Sequence, residues 1–508
     1  MSSAEEALAQ TKKAPAWPRS WLLAAALPPL ITILAFVSVV YAPTLNDFFI
    51  GDDFLDLADM AHKSTGQFLK DAFTLQGDIP FWRFLTRVVT LAEYRLFGLN
   101  AIPYHFLNLG MHLAIVLLAF GLGRALTKRN DVALLAALLF GVTPAHVVTV
   151  AWPTALNRLL CTFFFLVSLL ALHYYLEVRH RKGEAAPASL PQSIQGGLYS
   201  ISVVAFLLAI LSDEVAATLS LLLAFYLWLF LPGGRSRTRF LEMARLAAPY
   251  LLLSAVAAIF LYTLQIGGTY LKPADYGFGS HVFRNFWEYL ARLVYPVGAD
   301  APEKFWPVHR VAGALVAVGL AWAFWRGSAV TRFLTAGVVI ALVPYLPWVH
   351  WVVSRYTYLA TIFFAVLAAQ VGLALYERLR ARSAWAASRL APGGLALLLL
   401  FFVHQTLTQN GGQALAASHY ETLVNELRRE MPTLPPGSQV YILNGIWNDR
   451  WDPIWLPAIG KLLYGDARIV NVKALDCAGL TLTPPAFVFR YQNGHLVRPP
   501  SSAGCPGG

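Results

Sequence analysis

Two adjacent carboxylates, Asp52 and Asp53, stand in the run Asn46-Asp47-Phe48-Phe49-Ile50-Gly51-Asp52-Asp53-Phe54. Like charges repel, so beside a low-dielectric surface at least one of the pair should hold its proton more tightly than usual unless a cation or hydrogen-bond donors compensate. Such a pair suits a general base or a divalent-metal ligand. A hydrated acid pair is the competing reading, and Asp47, Asp56 and Asp59 favour it by making the whole loop acidic. A second group is Tyr104 to His112, where His105, Asn108 and His112 are spaced three and four apart and share one helix stripe. Such a stripe points at a bundle interior or a wet cavity, or it fastens helices by hydrogen bonds. The third group comprises His146, Arg158, Asp213-Glu214, His350 and Arg355-Tyr356-Thr357-Tyr358. A guanidinium offers a planar, permanently charged fork that matches a phosphate, although Arg and Tyr also serve as ordinary interfacial anchors.

If these groups converge, they form one cavity at a membrane surface that holds carboxylates, imidazoles and guanidinium groups. Sugar transfer from a polyprenyl-phosphate carrier needs that set. A carboxylate takes the proton of the acceptor hydroxyl, a cation offsets the charge on the departing phosphate, and an apolar groove holds the prenyl chain.

The elements that must position these residues are membrane helices. Of 508 residues, 57% are hydrophobic and only 13% charged, about half the charge of a soluble domain. This excludes a soluble enzyme and a disordered scaffold. Apolar runs long enough to span fall near 21–41, 104–126, 132–151, 156–176, 197–211, 215–231, 247–265, 309–325, 329–349, 355–375 and 392–409, giving about 11 transmembrane helices. The first run is too long for a signal-peptide core, and Tyr41-Ala42-Pro43 is a poor cleavage site. Basic residues gather in alternate loops, among them Lys128 and Arg129, Arg235 to Arg245, and Arg378 to Arg389. That bias places residues 1–20 in the cytoplasm and the C-terminus outside, in the inner (plasma) membrane. Much of the net charge of +11 is therefore topology, and no nucleic-acid face is implied.

External loops 42–103 and 266–308 then interrupt a membrane domain of residues 21–409. Phe81 to Phe97 and His281 to Tyr295 read as amphipathic helices resting on the outer leaflet. Residues 410–508 form a small extracytoplasmic α/β domain, with helices at 420–431 and 453–464, strands at 439–443 and 468–472, and a hairpin of 487–491 and 495–498 turning at Asn493-Gly494. Its Cys477 and Cys505 lie where a disulfide is permitted, and Cys161 is a membrane-core thiol. Three cysteines are too few for a disulfide scaffold or a thiolate metal site.

At these same residues the sequence resembles the GT-C class of membrane glycosyltransferases, most closely the protein O-mannosyltransferase branch and its relatives that carry tetratricopeptide repeats. Asp52-Asp53 matches the acidic pair of their first external loop, and Phe81 to Leu85 resembles their Arg-Pro-Leu stretch with Phe84 in place of proline. Tyr104-His105-Phe106-Leu107-Asn108 with His112 matches a Tyr-His-x-x-Asn-x-x-x-His signature, and Arg355-Tyr356-Thr357-Tyr358 an Arg-Tyr-x-Tyr motif. Thr143 to Trp152 is similar to a His-Pro-x-His-x-Glu-x-Val-x-Trp motif, with Thr143 and Val148 replacing its His and Glu. The arginine that usually follows is displaced to Arg158, and only Glu214 is kept from a Lys-Glu pair. The resemblance covers roughly residues 21–376; no repeats are read after the last span, unlike in the repeat-bearing relatives.

What it implies is an inverting glycosyltransferase that takes a sugar from a polyprenyl-phosphate donor to a hydroxyl on a protein, lipid or glycan. Asp53 is expected as the base, and Asp52 as the ligand of a sugar hydroxyl or of a divalent metal, Mg²⁺ or Mn²⁺. Arg355 and Tyr358, with Arg83 and His105, would bind the donor phosphate. Asn108, His112, His146, Arg158, Glu214 and Tyr356 would line the substrate cavity. The rival class is a non-catalytic relative, or a lipid-linked-sugar transporter or assembly subunit.

Overall fold

The computed structural model describes residues 19–74, 81–180, 192–234, 236–265, 276–295, 306–349, 352–443, 452–473, 477, 481–492 and 495–499. Among the described residues, seven helices are long and apolar enough to cross a membrane: Ala25–Asn46, Ile102–Thr127, Pro153–Arg179, Arg237–Thr263, Pro307–Arg326, Ser354–Arg382 and Ala384–Glu430. An eighth crossing is the pair Asn130–Gly141 and Pro144–Ala151, bent by 53°. The remaining three expected spans correspond to the shorter apolar helices Gly196–Ser212, Glu214–Phe230 and Ala329–Tyr345. The chain is a multi-pass membrane protein, and among its described residues seven or eight helices meet the length and apolarity of a full span.

Several of these helices begin or end in a short 3₁₀ segment: Pro144–His146, Pro153–Ala155, Glu214–Thr218, Val343–Tyr345 and Ser354–Thr357. Proline is the first residue of two of them and the second of a third; it lacks an N–H and fixes φ, so it interrupts an α-helix but is accepted in the first turn of the next. Irregular backbone at membrane depth survives only where it is buried in protein or lines a cavity. These segments carry or flank most residues of the candidate site.

The acidic loop is folded, not merely hydrated. Helix α1 (Asp53–His62) and α2 (Thr65–Thr74) precede α3 (Phe84–Phe97). In α3 the expected amphipathic helix is present, but two of its charged residues turn inward: Arg87 and Glu93 are buried with Leu91, while Arg95 and Leu96 are exposed. The reason is charge pairing. Arg87 reaches Asp59 at 3.1 Å and Asp56 at 3.5 Å on α1, and Lys63 bridges Asp59 and Asp71 at 2.8 Å each.

The last span does not stop near residue 409. It continues as one helix, α4 (Ala384–Glu430), into the C-terminal domain. There a four-stranded sheet runs in the order β2-β1-β3-β4, where β1 is Gln439–Leu443, β2 Arg468–Val472, β3 Ala486–Gln492 and β4 His495–Val497. β1 lies parallel to β2 and β3, pairing Val440 with both Ile469 and Phe487, and β3 and β4 are antiparallel. Helix α5 (Asp452–Tyr464) supplies the crossover that parallel strands require. Phe49, Phe54 and Leu57 of the acidic segment share one apolar core with Leu423 of α4, Val440 of β1, and Leu456 and Ile459 of α5. Cys477 is disulfide-bonded and Cys161 is free and buried; Cys505, the hairpin turn Asn493-Gly494 and His350 lie outside the described residues.

Candidate functional site

Asp53 is the first residue of α1 and is 3% exposed. Its Oδ2 accepts from the Ile50 N–H at 2.8 Å, and its Oδ1 from the Thr154 N–H at 2.8 Å and from the Thr154 hydroxyl. Burial pushes its carboxyl up to about 7, against the downward pull of these Thr154 and Ile50 hydrogen bonds and with a further push from Asp52. Asp53 thus anchors the acidic loop to the segment between two membrane helices. Asp52 is placed differently: it is half-buried, and its Oδ1 accepts from the indole N–H of Trp455 at 2.9 Å. Gly51 allows this turn by adopting φ +59°, a left-handed conformation that favours glycine.

The segment that receives Asp53 also reaches the arginine motif. Trp152 donates its indole N–H to the Ile50 carbonyl at 3.1 Å, and the Arg355 guanidinium lies over the Trp152 ring at 4.8 Å. One residue pair therefore carries the contact from the acidic loop to Arg355, which comes from a helix some 300 positions later. Arg355 also lies over Tyr356, at 5.3 Å.

Arg355 lines a small, partly open cleft. Its lining combines the polar Arg158, Tyr345, Tyr356 and Tyr358 with the apolar Val215, Leu219 and Leu359. Tyr345 and Tyr356 are stacked with centroids 4.3 Å apart, and Arg158 sits over both rings, at 4.8 and 5.0 Å. Arg158 is committed. It pairs with Asp213 at 2.7 Å, where Asn157 also donates at 2.6 Å, and it donates to the Tyr345 hydroxyl. Arg83 is committed too, to Glu214 at 3.3 Å. Among the described residues no carboxylate pairs with Arg355, which leaves its charge available to an incoming anion.

The histidine stripe divides. Asn108 donates to the Trp152 carbonyl at 2.8 Å and so fixes the segment beneath Arg355. His112 contacts the Gly141 carbonyl through Nε2 at 3.1 Å and the Tyr358 hydroxyl through Nδ1 at 2.7 Å. A carbonyl only accepts, so Nε2 carries the hydrogen and Tyr358 donates to Nδ1. His146 lies tilted against Tyr358 with ring centroids 4.6 Å apart, and neither its ring nitrogens nor those of His105 have a hydrogen-bond partner among the described residues. The divalent cation expected at Asp52 finds no donor set: among the described residues no three His, Cys, Asp or Glu side chains come together to hold an ion.

The expected residues therefore fall into three positions. Arg158, Arg355, Tyr356 and Tyr358 line the cleft; His112 and His146 contact Tyr358, and Asn108 holds Trp152; Asp53 is bonded to Thr154, two residues from the Trp152 on which Arg355 rests, and Asp52 to Trp455. Arg83 and Glu214 pair with one another, and the buried His105 does not line the cleft. Thr154, Tyr345 and Trp455 belong to the site without any motif in the sequence that marks them. Thr154 and Tyr345 were legible only as neighbours of a proline, and nothing local distinguishes Trp455 among 15 tryptophans.

The fold and site together define a multi-pass membrane chain with an acid and guanidinium cluster at the ends of its helices. No family model matches the chain, and no curated protein does. Among solved structures, it is similar to the oligosaccharyltransferase of Archaeoglobus fulgidus tethered with an acceptor peptide, at 13% identity and TM-score 0.49 over 86% of this chain. The match spans 64% of the archaeal chain's length. ArnT from Cupriavidus metallidurans is similar at 15% identity and TM-score 0.47, over 91% of this chain and 89% of that one. The protein O-mannosyltransferase Pmt1–Pmt2 complex of S. cerevisiae bound to its sugar donor matches at 16% identity and TM-score 0.33, over 51% of this chain and 36% of that one. At these scores the likeness fixes neither a family nor an activity.

Proposed function

We propose that the protein is a GT-C glycosyltransferase that moves a sugar from a polyprenyl-phosphate donor to an acceptor hydroxyl at the external membrane surface. The observation that carries this reading is the contact between the acidic loop and Arg355: Asp53 is held by Thr154, the Ile50 carbonyl by Trp152, and Arg355, which lines the cleft, lies over the Trp152 ring. The motifs matched in sequence supply the same residues. Arg355, without a carboxylate partner among the described residues, receives the donor phosphate and offsets its charge as the sugar leaves. Tyr358, held by His112, lines the same cleft. Arg158 is fixed by Asp213 and keeps the Tyr345–Tyr356 stack in place.

Of the two acids, Asp52 is the better proton acceptor from the acceptor hydroxyl, reversing the expectation from sequence. Asp53 already receives three hydrogen bonds and is buried, whereas Asp52 receives one from Trp455 and is more open. Attack by the activated hydroxyl on the face opposite the phosphate inverts the anomeric carbon: the new C–O bond forms as the bond to phosphate breaks, and the hydroxyl proton passes to Asp52.

The test is purified protein in lipid nanodiscs given tritiated polyprenyl-phosphate mannose, glucose and N-acetylglucosamine, with sugar release or transfer scored. Asp52→Asn should lower turnover by about 10²- to 10⁴-fold, the usual contribution of a general base. Full turnover in that variant overturns the assignment, and lipid-linked sugar that crosses the bilayer unreacted points to transport instead.

A further inference from the structure

The C-terminal domain meets the acidic loop at three places. Trp455 donates to Asp52 at 2.9 Å while its ring packs on Gly51, where an added Cβ would stand 3.1 Å from it. Tyr420 of α4 packs on Phe54 with ring centroids 5.4 Å apart, and on Trp455 at 6.3 Å. Lys461 of α5 lies 3.6 Å from Asp59. All three contacts fall on α1 or on the turn that opens it. An isolated domain that recognised a distant acceptor would need none of them.

We propose that Trp455 is a positioning residue for Asp52, so that the C-terminal domain is a working part of the acid site and not only a cover. The inference rests on Asp52 as the reacting carboxylate. The indole N–H occupies Oδ1 and fixes the carboxylate plane, leaving Oδ2 to meet the acceptor hydroxyl. The ring, held between Gly51 and Tyr420, sets where that N–H points. A carboxylate free to rotate would spend most of its time out of line with the hydroxyl, and a misplacement of about 1 Å costs on the order of a hundredfold in rate.

Trp455→Phe removes the donor and keeps an aromatic ring, though without the outer indole atoms Cζ2 and Cη2 that touch Gly51. In the full-length protein it should lower kcat by about ten- to a hundredfold with the donor KM changed less than about twofold, because ground-state binding of the lipid is untouched. Infrared spectra on acid titration give a readout that does not depend on turnover. The Asp52 carboxyl band, assigned as the one missing in Asp52→Asn, should move to higher frequency in Trp455→Phe as it loses its donor. A Trp455→Phe protein with unchanged kcat, or with the band unmoved, overturns the positioning role while a dead Asp52→Asn leaves the proposed function standing. Full turnover in Asp52→Asn removes both.

Discussion

Thr154→Val isolates the hydrogen bond from the Thr154 hydroxyl to Asp53 while leaving the backbone donor and the side-chain volume nearly unchanged. Asp53 is ordinarily ionised with a value of 3.8, and burial raises it to about 7 in the fold. The difference of about 3 units corresponds to roughly 4 kcal/mol in favour of the protonated form. Since the folded value lies above the unfolded one, the folded protein holds this proton more tightly. The Asp53 contribution to stability is fully present below about 4, falls as pH rises to about 7, and is level above that. At pH 8 the Thr154 hydroxyl donates to a carboxylate, a bond worth about 1.5–3 kcal/mol, whereas at pH 5 both partners are neutral and the bond is worth about 0.5–1.5 kcal/mol. Thr154→Val should therefore destabilise more at pH 8 than at pH 5, by about 1–1.5 kcal/mol, which is also about one further unit upward for Asp53. The assay is the thermal unfolding midpoint of wild type and variant in the same detergent at both pH values. An equal loss, or a larger one at pH 5, would refute the placement of an ionised Asp53 on Thr154.

Arg355→Ala should raise the KM for a polyprenyl-phosphate sugar by about ten- to a hundredfold, the worth of a hydrogen bond to a charged group, and Arg355→Lys should recover only part of it because an ammonium lacks the planar fork; steady-state kinetics on the two variants decide this. Asp213→Asn leaves Arg158 buried without its counter-charge and should cost about 3–5 kcal/mol, while the double change Arg158→Met with Asp213→Leu should recover most of that, read by thermal unfolding. Asp52→Asn and Trp455→Phe complete the set, and together the four separate the reacting acid, the phosphate cation, the packing ion pair and the positioning indole.

Low charge and long apolar runs determined a membrane protein with little room for another outcome, because unpaired backbone and scattered charge cannot be left in lipid. The alternation of apolar strands with a crossover helix made β1, α5 and β2 of the C-terminal domain readable to within a residue, since those periodicities are local. Helix length was less legible. The apolar run at 132–151 holds a bend at Pro144 that composition does not reveal, and α4 ignores the drop in hydropathy after residue 409 because its outer half is supported by the C-terminal core.

At the candidate site, residue types were visible in sequence but their partners were not. Arg83, Arg158 and Arg355 look alike on paper, and only packing commits the first to Glu214 and the second to Asp213. Asp52 and Asp53 are neighbours with the same chemistry. Which one is spent on anchoring depends on Thr154 and Trp455, about 100 and 400 positions away in the chain. Hydrophobic pattern is written in each segment and survives in isolation. Pairing between buried charges depends on where separate helices end, and that is settled only when the whole bundle closes.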